Sequence, residues 1–393
     1  MQSPLLRIGP TEVSFYSIDV YDAVHKVGSN LKFIKDPRTY GEFVQGGHPA
    51  LFSIADPEEH ARRRRLMGQL YNRSRMDNLR GLMNHVVGDF VQTLKRHQDR
   101  PLECVPACRA LEADLISLFS FGESIGAVRA WSNGEPWNMV LKNDEKATWM
   151  PVFTSFPGLV SIWQSFEQWL FQRFGWQTTY AAAMSEWELW ASRGLATALS
   201  SAKRNDNDTD ADNDKSPKAF PNLISTLVRS GLHPQTALSE ARENLGPGTD
   251  TTSATLAHIL WALAHNPQYQ NKLRQELSAL GFPTDLKGLD EVPRLKASVK
   301  EGIRWTGAAA AMLPRIVPPE GVMLEGVFLP GGTTVTSSPI WYLRDQNAFP
   351  NPTYYNPYRW LTADGTALSD NQPLRDKYYI PFSKGANVCI GAQ

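Results

Sequence analysis

Between Glu243 and Pro267 the chain reads ENLGPGTDTTSATLAHILWALAHNP. Apolar residues recur there at helical spacing, and helix-period sequence fills most of Pro221–Trp305, so the fold must house a long helix. Inside that helix stands Gly246-Pro247-Gly248. In a helix interior glycine costs about 1 kcal/mol and proline about 3 kcal/mol relative to alanine, so the helix is expected to kink or open at this point. Asp250-Thr251-Thr252 follow at once. Two readings fit: an opened turn where an acid and an alcohol hold a small ligand and relay protons, or a helix boundary capped by Asp or Thr.

The rest of the chain is mainly α with a minor β part. Ser3–Ser53 carries short β-branched and aromatic runs (EVSFYSI, LKFI) that predict a small strand-containing region. Helical sequence begins at Asp56-Pro57-Glu58-Glu59, with an N-cap, a proline at the first position and acidic residues in the first turn. The stretch Pro314–Trp341 changes period and predicts a small antiparallel sheet with Pro-Gly and Gly-Gly turns. Residues 203–218, KRNDNDTDADNDKSPK, lack the apolar surface needed to order and predict a polar, disordered loop. Its alternating acids lack the glycine and terminal glutamate of a calcium loop.

Composition narrows the partners. Lys plus Arg and Asp plus Glu number 40 each in 393 residues, so no global field favours nucleic acid. Three cysteines (Cys104, Cys108, Cys389) are too few for a disulfide framework and suit a reducing compartment. The most apolar helical stretch, SATLAHILWALAHNP, is too short to span a bilayer, carries two histidines and predicts a buried helix.

Further constellations carry chemistry. Glu301 and Arg304 lie at i, i+3 on a helix, and Arg359 sits in the aromatic loop YYNPYRWL, where a buried guanidinium needs a carboxylate. His60 and Arg64 lie at i, i+4 within EEHARRRRL; this is a solvated basic face or an inward pair that binds an anion. PFSKGANVCIG frames Cys389 with glycines, as a loop would that presents one sulfur atom.

Taken together, in this order, these motifs resemble the cytochrome P450 family of haem-thiolate monooxygenases, of the fungal microsomal type, over essentially the whole chain. The resemblance implies one P450 domain over 1–393, with a long kinked helix over haem b and small sheets. By the same resemblance Cys389 is the axial thiolate, Phe382 shields it, and Gly385 and Gly391 shape its loop. His60, Arg64 and Arg315 fall where the family binds the haem propionates. Asp250 and Thr251 match its proton-delivering acid–alcohol pair, and Glu301, Arg304 and Arg359 its structural triad. Gly248, Ala309, Ala310, Ala311 and Met312 match positions lining the oxygen groove or the substrate. The small alanines of GAAAAMLP leave volume for a bulky, mostly apolar substrate. O2 is the co-substrate, and NADPH supplies electrons through an NADPH-cytochrome reductase docking on Arg62, Arg63, Arg65 and Lys384. The family resides at the endoplasmic reticulum membrane; here WMPVFTSFPGLVSIWQSF is expected to form a lid that touches a membrane surface, or a core helix.

The sequence departs from the family pattern in places. Asn387 stands where the family has an arginine, and Pro247 where it has alanine or glycine. Relative to the family the chain enters after the N-terminal anchor and stops before the helix that follows the cysteine, so it resembles an incomplete member. The alternative function is accordingly a non-catalytic or haem-poor relic.

Overall fold

The computed structural model describes residues 4–25, 33–41, 43–44, 46–71, 73–99, 101–135, 157–176, 187–200, 222–308 and 311–392. The expected polar loop at 203–218 lies outside them, as do Ala309 and Ala310. The chain divides into two compact units, one of residues 1–40, 54–80 and 250–393, the other of 41–53 and 81–249.

The first unit holds the strands. β1 (Leu5–Gly9), β2 (Glu12–Phe15), β3 (Ile34–Lys35), β4 (Arg315–Ile316) and β7 (Thr334–Thr336) form a sheet in the order β1-β2-β7-β4-β3. The β2–β7 pair is parallel, Val13 opposite Val335, and the other pairs are antiparallel. β5 (Val322–Leu324) and β6 (Val327–Leu329) make a separate hairpin. Its two-residue turn, Glu325-Gly326, has φ of 48° and 76°, the left-handed geometry that matches strand twist. Beside the sheet lies α1 (Ile18–His25), whose Val20, Tyr21 and Val24 join Phe15, Val335 and Tyr342 in one apolar core. α2 (Pro37–Gly41) and α3 (Pro57–Gly68) follow. α3 starts as the sequence predicts: the Asp56 carboxylate accepts the Glu59 N–H at 2.7 Å.

α4 (Arg73–Arg96) starts in the first unit and continues into the second, whose further described helices include α5 (Cys104–Phe121), α6 (Ala127–Asn133), α7 (Pro157–Phe174), a helical stretch over 187–200, and α8 (Leu223–Arg229). Buried Asp114 on α5 starts α6, accepting the N–H groups of Ala127 and Val128 at 2.7 and 2.9 Å. Phe121 lies where a side chain at Gly194 would project, 2.6 Å from the ideal Cβ, which brings the 187–200 helix close to α5.

α9 (Pro234–Ala264) begins in the second unit and ends in the first. It runs as one 31-residue element through Gly246-Pro247-Gly248, so the expected break does not end it. A proline removes one N–H from a ladder of that length, and the turns on either side carry the helix across. The SATLAHILWALA portion differs from expectation. Ala257 and Ala262 are buried but Leu260 and Trp261 are 37% and 51% exposed, so this part is amphipathic.

After α9 come α10 (Pro267–Ala279), α11 (Leu286–Asp290), α12 (Pro293–Thr306), α13 (Pro339–Leu343) and α14 (Pro373–Tyr378). α12 crosses α9 at Gly302, where an added Cβ would lie 2.2 Å from Ile259 Cγ1 and 2.5 Å from Cδ1. Only a hydrogen fits there. Gly302→Ala is expected to destabilise the chain by about 1–3 kcal/mol through overpacking, read as a lower denaturant midpoint at unchanged slope. Trimming Ile259 to Val in that background should recover part of the loss.

Candidate functional site

The carboxylate of Glu301 and the guanidinium of Arg304 have no exposed surface. Arg304 clasps Glu301 with two bonds, Nε to Oε2 at 2.9 Å and Nη2 to Oε1 at 2.8 Å. Arg359 Nε adds a bond at 3.1 Å, the backbone N–H of Asn356 one at 2.9 Å and the Trp360 indole one at 2.9 Å. The remaining Arg304 donors reach the carbonyls of Leu343, Pro352 and Tyr354. Breaking a buried pair by removing one partner typically costs 3–5 kcal/mol, because a buried charge is left uncompensated. The three residues singled out in the sequence thus meet, and their task is to tie α12 to the chain ahead of the cysteine loop.

That loop is closed by the Cys389 N–H on the Phe382 carbonyl at 2.9 Å. Gly385 has φ 72°, a turn that glycine takes without strain, and Gly385–Asn387 forms a short 3-10 turn. Phe382 is half-buried, while Cys389 is exposed. A Cβ at Gly391 would lie 3.8 Å from the sulfur, so glycine there leaves that side of the thiol open.

Beside the loop lies a cluster of cations. Arg64 Nη1 donates to the Val388 carbonyl at 2.6 Å, one residue before the cysteine. His60, one turn earlier on α3, is buried, and its pKa is pushed down to about 4, first by burial and then by Lys35, Arg64 and Arg315. The charges acting on it are all positive. Lys35 and Arg315 are 5% and 2% exposed and stand directly opposite each other on β3 and β4. Like charges facing across strands destabilise a sheet. Both lie over the Tyr40 ring, 5.3 and 5.4 Å from its centroid, and Tyr40 accepts a 2.7 Å bond from Arg315. A site of this composition fits an anion, next to a sulfur able to ligate a metal.

Sequence reasoning singled out His60, Arg64 and Arg315 but not Lys35 or Tyr40; the strand-like run LKFI stops at Ile34, one residue short of Lys35. Of the four arginines in the run, Arg62 and Arg65 are exposed, and Arg62 pairs with Glu59. Arg63 is buried against Glu59 at 2.8 Å, and Lys384 is paired with Asp22 at 2.6 Å. The docking patch expected on Arg62, Arg63, Arg65 and Lys384 is corrected accordingly: helix phase turns Arg63 inward.

Asp250 and Thr251 are adjacent and half-buried on α9. Their carbonyls accept the hydroxyls of Ser253 at 3.2 Å and Thr255 at 2.9 Å. A Cβ at Gly248 would meet Ile116 of α5 at 3.2 Å, so the side on which a side chain would project is filled by helix packing. Ala311 and Met312 are exposed just ahead of β4. On α7, Ile162, Trp163, Phe166, Trp169 and Phe174 are 48–68% exposed, which removes the core-helix reading for its described part.

Comparison with known proteins defines the family of the chain. The model of the cytochrome P450 family matches residues 3–393. The chain is 26% identical to cytochrome P450 monooxygenase hkm5 of Aspergillus hancockii, over 99% of this chain and 73% of that protein. It is 29% identical to cytochrome P450 monooxygenase BOT1 of Botryotinia fuckeliana, again over 99% of this chain and 73% of that protein. Fusicoccadiene C-8 hydroxylase of Alternaria brassicicola is 24% identical, over 98% of this chain and 73% of that protein. The chain belongs to the cytochrome P450 family, a family of oxidoreductases. Its implied haem suits the residues found: two anionic propionates for the cations and an iron for the thiolate.

The cluster makes a pH prediction. An unfolded histidine titrates near 6.5, so as pH falls from about 6.5 to about 4 the unfolded chain takes up a proton that folded His60 refuses. Stability should fall through that window. Buried His25, also held low by burial and by Arg315, acts with the same sign. His60→Gln is expected to flatten the loss in thermal melts; an unchanged slope would mean that the His60 ring is solvated.

Proposed function

We propose that this chain is a haem-dependent monooxygenase that inserts one oxygen atom from O2 into a bulky, mostly apolar organic substrate, in fungal secondary metabolite biosynthesis. The observation that carries the reading is the cluster of buried Lys35, His60 and Arg315 with half-buried Arg64, which joins it to the Cys389 loop. Haem, when bound, supplies the redox chemistry that activates O2. Cys389 is the proposed ligand, whose thiolate pushes electron density toward the metal. The cations Lys35, Arg64 and Arg315 hold the cofactor's carboxylates through charge-assisted hydrogen bonds of roughly 1.5–3 kcal/mol each, and neutral His60 adds an uncharged ring N–H donor. Phe382 screens the sulfur, and Asp250 and Thr251 hold and pass protons from the α9 side. Exposed Ala311 and Met312 border the proposed substrate space.

Electrons come from NADPH through a reductase, for which exposed Arg62 and Arg65 remain as steering charges. Localisation at the cytoplasmic face of the endoplasmic reticulum follows the family. The exposed aromatics of α7 suit a peripheral contact with lipid, and among the described residues no helix is long and apolar enough to cross a membrane. A second reading, a haem-poor relic, is favoured by Asn387, an uncharged side chain where the family carries an arginine.

Thr251→Ala tests the proton relay. With substrate and reductase present, NADPH oxidation is expected to continue while product per NADPH falls and hydrogen peroxide release rises. Unchanged coupling would reduce Thr251 to a helix residue.

A further inference from the structure

The cysteine loop turns through two residues of positive φ, Ser383 at 61° and Gly385 at 72°. Glycine adopts that region freely, whereas a serine there is in a left-handed conformation that L side chains disfavour. A tether therefore has to hold Ser383. The Tyr21 hydroxyl lies 2.7 Å from Ser383 Oγ, across 362 residues of sequence. Tyr21 is fully buried, its ring stacked on His25 at 4.2 Å, edge-on to Tyr342 at 5.2 Å and tilted against Phe15 at 6.4 Å. So confined, it presents its hydroxyl at a set point. The next residue on α1, Asp22, pairs with Lys384 at 2.6 Å. α1 thus grips two consecutive residues at one end of the loop, while Arg64 holds Val388 at the other.

We infer that Tyr21 is a positioning residue for Cys389: its hydroxyl holds Ser383 in the left-handed conformation and so fixes how the loop presents the thiol. The link is covalent and short, because Ser383 follows the residue whose carbonyl receives the Cys389 N–H. Rotation at Ser383 would move Phe382 against Cys389 and open that closure. The inference rests on reading Cys389 as the residue that faces the cofactor.

Tyr21→Phe deletes the hydroxyl and keeps the ring packing. In the haem-free full-length chain, amide hydrogen exchange at 382–389, and at the Cys389 N–H that closes the loop above all, should speed up about three- to ten-fold, the shift in local opening that loss of one part-buried hydrogen bond produces. In a Ser383→Gly background, where the left-handed turn needs no tether, Tyr21→Phe should leave the exchange rate unchanged. In the haem-loaded chain Tyr21→Phe should lower the share of the thiolate-type Soret band, and the double variant should restore it. Unchanged exchange in the native background, or an equal increase in both backgrounds, would overturn the inference. The exchange arm needs no haem, so failure to bind cofactor and failure of the tether give different results.

Discussion

A carboxylate without solvent access, Glu301, anchors the part of the structure that delivers the cysteine. Removing a charge from water costs several kcal/mol per ion even after relaxation, so such a group persists only where donors saturate it. Here Arg304, Arg359, the Trp360 indole and the Asn356 amide all converge on it. The network then continues toward the loop. Arg375 of α14 donates to the Arg359 carbonyl at 2.8 Å and lies over the Trp360 ring at 4.7 Å, while the Tyr379 hydroxyl donates to the Lys300 carbonyl at 3.2 Å. One residue later, at buried Ile380, the cysteine loop begins. The thiol's position is therefore inherited from an ion network that performs no chemistry of its own.

The second constraint is electrostatic and local. A chain with equal numbers of basic and acidic residues gathers the cations Lys35, Arg64 and Arg315 around neutral His60, so neutrality overall conceals a locally cationic site. Two-residue strands put Lys35 opposite Arg315, an arrangement that weakens the sheet by itself and that a bound anion offsets. The same helix that supplies His60 also supplies Arg64, which reaches the backbone beside Cys389. The proposed anchoring of the cofactor and the placement of the thiol thus share α3.

How much of this was legible in the sequence follows from the range of each interaction. The Asp56 cap and the i, i+3 pair of Glu301 and Arg304 are local, and both stood out before any fold was known. The cysteine loop was legible because its turn residues are contiguous. Arg63 reads in the sequence as a surface docking residue but is buried against Glu59, since a run of arginines does not reveal the phase at which its helix meets the core. Lys35 escaped because a two-residue strand has no periodicity from which to read register. SATLAHILWALA looked buried because apolarity announces burial without specifying what covers each face; Leu260 and Trp261 remain exposed. The pairing of Tyr21 with Ser383 spans 362 residues and depends on a backbone conformation that no composition rule marks.

The claim at the centre of this account is that Cys389 is the ligand of a haem held by the neighbouring cations. The reduced carbon monoxide difference spectrum of the haem-loaded chain tests it most directly, alongside Cys389→Ser and Cys104→Ser variants. The account predicts a thiolate-type Soret band in the native chain and in Cys104→Ser, and its loss in Cys389→Ser. A thiolate-type band that survives Cys389→Ser, or haem bound by the native chain without such a band, would contradict it.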